Sequence, residues 1–377
     1  MDSKTQKFFS LLRCAIGTGK TPPQLTYSDF CYVHDMARKQ ALSGLMFAAI
    51  SDYNVRPTDI EHHQDEFQYL LIQWMGEKVR IERRSTKLDA DVASLVKWLS
   101  ENGFEGCLLK GQGNALLYQH PSLRTSGDID IWVRPRERTT WNDDIKRTID
   151  FAKAHWPEAR AIYHHIDDLE WDGTPVEIHY RPRFMLNRIN DAHLQRYFQL
   201  EADRQFQNFR IIGGAPVAVP VPSFNIIIQI SHIFGHLLME GIGLRQMVDC
   251  FYTLKSYRET DQESSIDWKK RLHHLGLYRI AQSIMWILIE WLGMNPQWAI
   301  VTPDAHRGKY VLNEILLSGN LGHFDGRNAK FGTTKIGRNT QRMVRDCRLV
   351  RYFPSEALSE PFFRLWHAWW RLRHNCK

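Results

Sequence analysis

The chain has 377 residues, 43% of them hydrophobic, 24% charged and 12% aromatic, a composition that can bury a sizeable core and excludes a disordered protein. The formal charge of +7 is uneven: residues 327–377 hold 12 Lys/Arg against Asp346, Glu356 and Glu360, a local +9 that leaves −2 for the rest. A basic tail on a near-neutral body points to a polyanionic partner. The longest apolar stretches, such as Ile280 to Gly293, are interrupted by Gln282, Ser283 and Glu290. They fall short of the ~20 apolar residues of a membrane span. The N-terminal sequence shows no signal-peptide pattern, and six scattered cysteines form no C-x-x-C pair, so a reducing cytoplasm is expected.

Three regions are predicted along the chain. Residues 1–103 read as helical: Thr26 to Asp29 caps a periodic segment through Phe30, Met36, Ala41 and Leu45. A long amphipathic stretch over 64–101 ends at Asn102-Gly103. Residues 104–222 read as an α/β unit with a mixed sheet, its strands at 106–109, 129–133, 176–180 and 211–221 and a helix from Trp141 to Ala154. Residues 223–377 turn helical again, with Ser223 as a cap and a last helix carrying Phe362, Leu365, Trp366, Trp369 and Trp370. The fold class is α+β, a mixed sheet flanked by helical regions and followed by the basic tail.

The chemistry is concentrated in residues 108–133. Gly127-Asp128-Ile129-Asp130 enters a strand, and alternation sends Asp128 and Asp130 to one face and Ile129 and Ile131 to the other. Adjacent carboxylates repel unless a cation lies between them, and hard oxygen ligands select Mg²⁺ or Mn²⁺. In the run 176–180, Glu177 and His179 share a face; if this strand neighbours the first, Glu177 becomes a third metal ligand able to activate an acceptor hydroxyl. Upstream, Lys110, Gly111 and Gly113 open a predicted helix where backbone amides can approach phosphate oxygens. Lys110 and Arg124 are the cationic candidates for a triphosphate, and Ser126 and Gly127 complete the loop before the acidic pair.

Lys110-Gly111, Tyr118, Pro121, Arg124, Gly127-Asp128-Ile129-Asp130 and Val133 fall in the order of a known pattern. The chain resembles the "uncharacterised nucleotidyltransferase" family of the DNA polymerase beta-like superfamily, over roughly residues 25–325. The strand 177–179 and the run His232-x3-His236 … Gly243-Leu-Arg245-x3-Asp249 add to the likeness. Two departures stand out: Gly111-Gln112-Gly113 replaces the superfamily's Gly-Ser or Gly-Gly pair, and the third carboxylate is Glu177 rather than Asp. The resemblance implies NMP transfer from an NTP, with pyrophosphate released; it implies no acceptor, and the sequence leaves RNA, a protein hydroxyl and a small molecule as alternatives.

Two other functions share parts of this pattern. A D-x-D glycosyltransferase using a nucleotide sugar explains neither Lys110-Gly111 nor the Glu177 strand, and a non-catalytic nucleotide-binding protein has no evident use for clustered carboxylates. Other polar groups have simpler readings. His164-His165 with Asp167-Asp168 has the residue types of a metal cluster, but adjacent residues point to opposite strand faces, so a polar turn is expected. His232 and His236 read as core or interface histidines, and Arg245–Asp249 as an i,i+4 helix pair. Arg338, Arg342, Arg345, Arg348 and Arg351 form either a solvated face or a polyanion-binding stripe. The Trp-rich last helix is expected to dock on the helical core.

Overall fold

A computed structural model describes residues 2–260, 266–327 and 335–375. Four helices lead: α1 (Ser3–Ala15), α2 (Tyr27–Lys39), α3 (Ser43–Asp52) and α4 (Gln64–Glu101). The α2 start is a capping box, in which the Thr26 side chain accepts from the Asp29 amide and the Asp29 carboxylate accepts from the Thr26 amide. The 38-residue α4 serves two cores. Phe67, Leu70 and Trp74 pack with α1 to α3, and Leu88, Val92, Leu95 and Leu99 pack under the sheet.

The sheet has seven strands: β1 (Phe104–Leu108), β2 (Ile129–Pro135), β3 (Arg160–Ala161), β4 (His165–Trp171), β5 (Thr174–His179), β6 (Phe209–Ile212) and β7 (Ala215–Ala218). Their order is β3-β4-β5-β2-β1-β7-β6. β2 runs parallel to β5 and β1 parallel to β7, while the other neighbours are antiparallel, so the sheet is mixed. Between and after the strands come α5 (Gln112–Ala115), α6 (Trp141–His155), α7 (Arg188–Phe206), α8 (Pro222–Met239), α9 (Leu244–Thr260), α10 (Trp268–His274), α11 (Tyr278–Glu290), α12 (Ala305–Ser318), α13 (Lys335–Leu349) and α14 (Pro354–Asn375). The fold is α+β. The larger apolar core joins α1 to α3 to α8, α9 and α11 and reaches the sheet at Cys107, Trp132 and Ala218. Among the described residues no helix is long and apolar enough to cross a membrane.

Several expectations change in the structure. The single strand expected over 211–221 is instead the end of β6, a turn at Gly213-Gly214 with φ of 57° and 81°, and the whole of β7, paired as a hairpin. A Cβ on Gly213 would lie 2.2 Å from the Asp89 carbonyl oxygen, so only glycine fits against α4. α8 opens with Pro222 in its first turn, with no side-chain cap hydrogen bond, instead of with a Ser223 cap. The last helix packs on the larger core through Ala357 and Phe363, as expected, and also reaches the core under the sheet through Trp370. Phe363 stacks on Phe184 with ring centres 4.9 Å apart, and Trp366 meets the edge of Tyr163 at 5.0 Å. Phe362 and Leu365 face outward, each 74% exposed.

Where α13 meets α14, Asp346 faces Glu360. Burial first, and the Glu360 charge second, push the Asp346 carboxyl up to about 7. The folded chain therefore holds this proton more tightly than the unfolded chain, where the pKa is about 3.9. The stability this proton gives is full at acid pH and is lost as pH rises from about 4 to about 7. Thermal melts at about pH 5 and about pH 8 are expected to differ more in the wild type than in Asp346→Asn, with the variant the more stable form at about pH 8.

Candidate active site

The sheet register builds the acidic wall. Asp130 on β2 is the direct partner of Glu177 on β5, and Trp132 is the partner of His179. In a parallel ladder aligned residues project to the same face. Glu177 thus stands beside Asp130, with Asp128 two residues upstream. The three border one cavity of about 740 Å³ with Lys110, Gly111, Arg183, His232, His236 and Arg245. That volume lies within the range of small-molecule sites.

Charge is tightly organised here. Lys110 Nζ lies 2.8 Å from Asp130 Oδ1, and His179 Nε2 lies 3.1 Å from the same oxygen and 3.2 Å from Glu177 Oε2. Burial disfavours the Asp130 charge, but Lys110 and His179 outweigh it and hold this carboxyl well below the usual range. Asp128 goes the other way: the Asp130 charge, then enclosure, push it up to about 6 against the pull of Lys110. Burial favours the neutral His179 ring, yet hydrogen bonds to Asp130 and Glu177 raise its pKa overall. Two carboxylates that drive each other apart in this way mark a place for added positive charge.

The loop before Asp128 is held by buried polar groups. Arg124 forks onto Asp249 of α9, with Nε to Oδ1 and Nη2 to Oδ2 both 2.7 Å, and donates from Nη1 to Ser126 Oγ at 2.5 Å. The Tyr118 hydroxyl donates to the same Asp249 at 2.6 Å. Arg245 donates to the Thr125 carbonyl at 2.6 Å, and Arg84 to the Gly127 carbonyl at 2.8 Å. The expected Arg245–Asp249 helix pair is therefore replaced by a tertiary fork. A bidentate, desolvated guanidinium–carboxylate pair outweighs a single i,i+4 contact. Arg124 borders the cavity with its guanidinium already engaged, so its place here is to shape the loop. Arg124→Ala is expected to destabilise the fold by about 3–5 kcal/mol, because Asp249 would be left charged and buried. Urea unfolding checks this, with the half-buried Arg84→Ala as a comparison expected to lose far less, since it leaves no buried carboxylate unpaired.

The Lys110-Gly111-Gln112-Gly113 turn also differs from its expected form. α5 has only four residues and offers little dipole to a phosphate. Gly111 has φ of 59°, which explains the glycine. Gln112 turns away from the cavity: its amide donates to Ser85 and, at 2.6 Å, to Asp89 Oδ1 on α4. The departure at Gln112 anchors the turn to α4 and leaves Lys110 and the Gly111 backbone at the cavity.

Other cavity residues were given no site role by their sequence. Arg183 is buried, with Nε and Nη2 lacking hydrogen-bond partners, and the Nε of Arg245 also lacks one. His232 and His236 border the cavity from α8, where His236 Nδ1 lies 2.9 Å from Glu240 Oε2. The run His164 to Asp168 is not a turn: His165 begins β4, and His164, His165 and Asp167 border the cavity. Its polar content hid a strand whose polar side faces the site.

Residues 28–293 match the model of a family described as uncharacterised nucleotidyltransferase. No curated protein and no solved structure matches the chain.

Proposed function

The chain belongs to the uncharacterised nucleotidyltransferase family, and we propose from that premise that it moves an NMP group from an NTP to an acceptor hydroxyl in this cavity. One observation carries the reading: the direct pairing of Asp130 with Glu177, with Asp128 two residues upstream on the same cavity wall. The donor set suits a hard divalent ion, Mg²⁺ or Mn²⁺, because Asp128, Asp130 and Glu177 offer carboxylate oxygens and the Asp128 carboxyl is raised by its acidic neighbour. Such an ion, when bound, supplies charge neutralisation and orientation of phosphate oxygens.

The side chains have separable tasks in this reading. Lys110, Arg183 and Arg245 bind the triphosphate, and the Gly111 backbone approaches it closely. The acceptor oxygen forms a bond to the α-phosphorus as the bond to the pyrophosphate oxygen breaks, and Glu177 takes the hydroxyl proton. Arg124, Ser126 and Gly127 set the loop that presents Asp128.

The test is incubation of each α-labelled NTP with Mg²⁺ or Mn²⁺ and total cell extract. Label passing to an acceptor with pyrophosphate as co-product is the expected result. Release of a nucleoside diphosphate from a nucleotide sugar would favour glycosyl transfer, and stabilisation by NTP without turnover would favour a binding protein.

RNA, a protein hydroxyl and a small molecule are the acceptor classes this reading admits, and the arginine stripe bears on the choice. Arg345 is turned into the protein and Arg348 lies 3.9 Å from Glu314, while Arg342 and Arg351 face water. The Arg338 side chain lies outside the described residues. Two phosphate contacts give a log–log salt slope of only about −1.4 to −1.8. RNA binding measured across a salt series is expected to be no steeper, and reversal of Arg342 and Arg351 to Glu is expected to flatten it. The five described cysteines are free, which agrees with the reducing cytoplasm we propose as the setting.

A further inference from the structure

β4 and β5 are not evenly paired. Ile166 sits opposite Ile178 and Leu169 opposite Val176, so three steps along β4 match two along β5. The extra residue is taken up at Asp167-Asp168, across from Glu177. Asp168 has φ of 64°, a conformation few non-glycine residues adopt, and its carboxylate is held by Arg160. A β-bulge re-aims side chains, and bulges gather next to functional sites. Alternation places His165 and Asp167 on the cavity side of β4, and the bulge follows them, returning Leu169 to the core opposite Val176, so His165 reaches Asp167 and Glu177 together. His165 Nε2 contacts the Asp167 carboxylate and lies 3.7 Å from Glu177 Oε2.

One ligand atom from each of these three residues lies within 4.8 Å of the other two. The second nitrogen of His165 is also held: Nδ1 lies 2.8 Å from Nε2 of His164, which is buried. A histidine with one ring nitrogen fixed by a neighbour presents the other in a set direction, as metal-ligating histidines usually do.

We infer that His165, Asp167 and Glu177 form a binding site for a borderline transition ion of the Zn²⁺ or Co²⁺ type, beside the oxygen-rich Asp128–Asp130 pair. The chemistry of the donors separates the two. An imidazole with two carboxylates suits Zn²⁺ and its relatives, whereas Mg²⁺ prefers oxygens and retained water. Bonds of about 2.0–2.2 Å place tetrahedral ligand atoms roughly 3.4 Å apart, close to the 3.7 Å found between His165 and Glu177. Three protein ligands and an open cavity side leave one position for water or a substrate atom. The inference shares only Glu177 with the nucleotidyl-transfer reading, so either can fail without the other.

The full chain, stripped of metal, is titrated with Co²⁺ in excess Mg²⁺, read by calorimetry and by the visible absorption of bound Co²⁺. One equivalent that Mg²⁺ does not displace is expected. His165→Ala and Asp167→Asn are each expected to weaken it at least about 10-fold, and His164→Ala by about 10–100-fold. Asp167 is partly exposed, so its conservative variant tests the site even where removal of the buried His165 ring impairs folding. Asp128→Asn is expected to leave Co²⁺ binding in place. Absence of a Co²⁺ equivalent in excess Mg²⁺, or unchanged affinity in Asp167→Asn, would overturn the inference and leave a hydrogen-bonded network only. Co²⁺ bound without nucleotidyl transfer supports this site and counts against the proposed function. Transfer in Mg²⁺ with no Co²⁺ equivalent does the reverse.

Discussion

Asp128→Asn and Asp130→Asn are both expected to lower nucleotidyl transfer by a factor on the order of 10³ or more, yet to move stability in opposite directions. Asp128 has its carboxyl raised to about 6 chiefly by the Asp130 charge. Its amide variant removes that repulsion, so stability in metal-free buffer is held or increased. Asp130 is the buried partner of Lys110 and His179. Its amide variant leaves the Lys110 ammonium without a counter-charge and is expected to cost roughly 3 kcal/mol, the low end for breaking a buried pair, since Lys110 keeps some contact with water. Pyrophosphate release and denaturant unfolding on the same preparations separate the two effects. Wild-type turnover in the double variant would end the nucleotidyltransferase assignment for this cavity. The alternation of Gly127 to Ile131 suggests only that both variants relieve repulsion; the contact to Lys110 is what divides them.

The parts legible in the sequence were those governed by short periods. The period-2 pattern at 129–133 and 176–180 gave two strands with their acidic faces, and the apolar period over 64–101 gave α4 with its stop at Asn102-Gly103. What stayed hidden depends on partners far along the chain. Asp249 lies 125 residues from Arg124, and nothing local marks it as more than a helix residue near Arg245. Gln112 looks like a weak phosphate turn until Ser85 and Asp89 are beside it. The β4 bulge defeats alternation itself, since an added residue at Asp167-Asp168 shifts the phase in mid-strand. In α13 the arginine spacing was read correctly as helical, but the spacing does not say that Arg345 faces inward.

Arg183→Met is expected to weaken NTP binding by about 10–100-fold while leaving the apo fold as stable as the wild type or more so. Arg183 is 6% exposed, with Nε and Nη2 unpartnered, beside Phe184 and facing the cavity that contains Asp130 and Glu177. Burial disfavours its charge, and the carboxylates of Glu240, Glu177 and Asp130 offset this only in part. A buried guanidinium without a partner is costly, and an anionic ligand that pairs with it recovers that cost on binding. Hydrogen bonds to charged groups contribute about 1.5–3 kcal/mol, which sets the expected loss of affinity. A second variant separates position from charge. A Cβ on Gly235 of α8 would lie 2.0 Å from Nη2 of Arg183, so Gly235→Ala must move the guanidinium while keeping its charge. Calorimetric titration with Mg²⁺ and NTP is expected to show reduced affinity in both variants, larger in Arg183→Met. Affinity within about twofold of wild type in both would remove Arg183 from the triphosphate site and leave Lys110 and Arg245 as its cations.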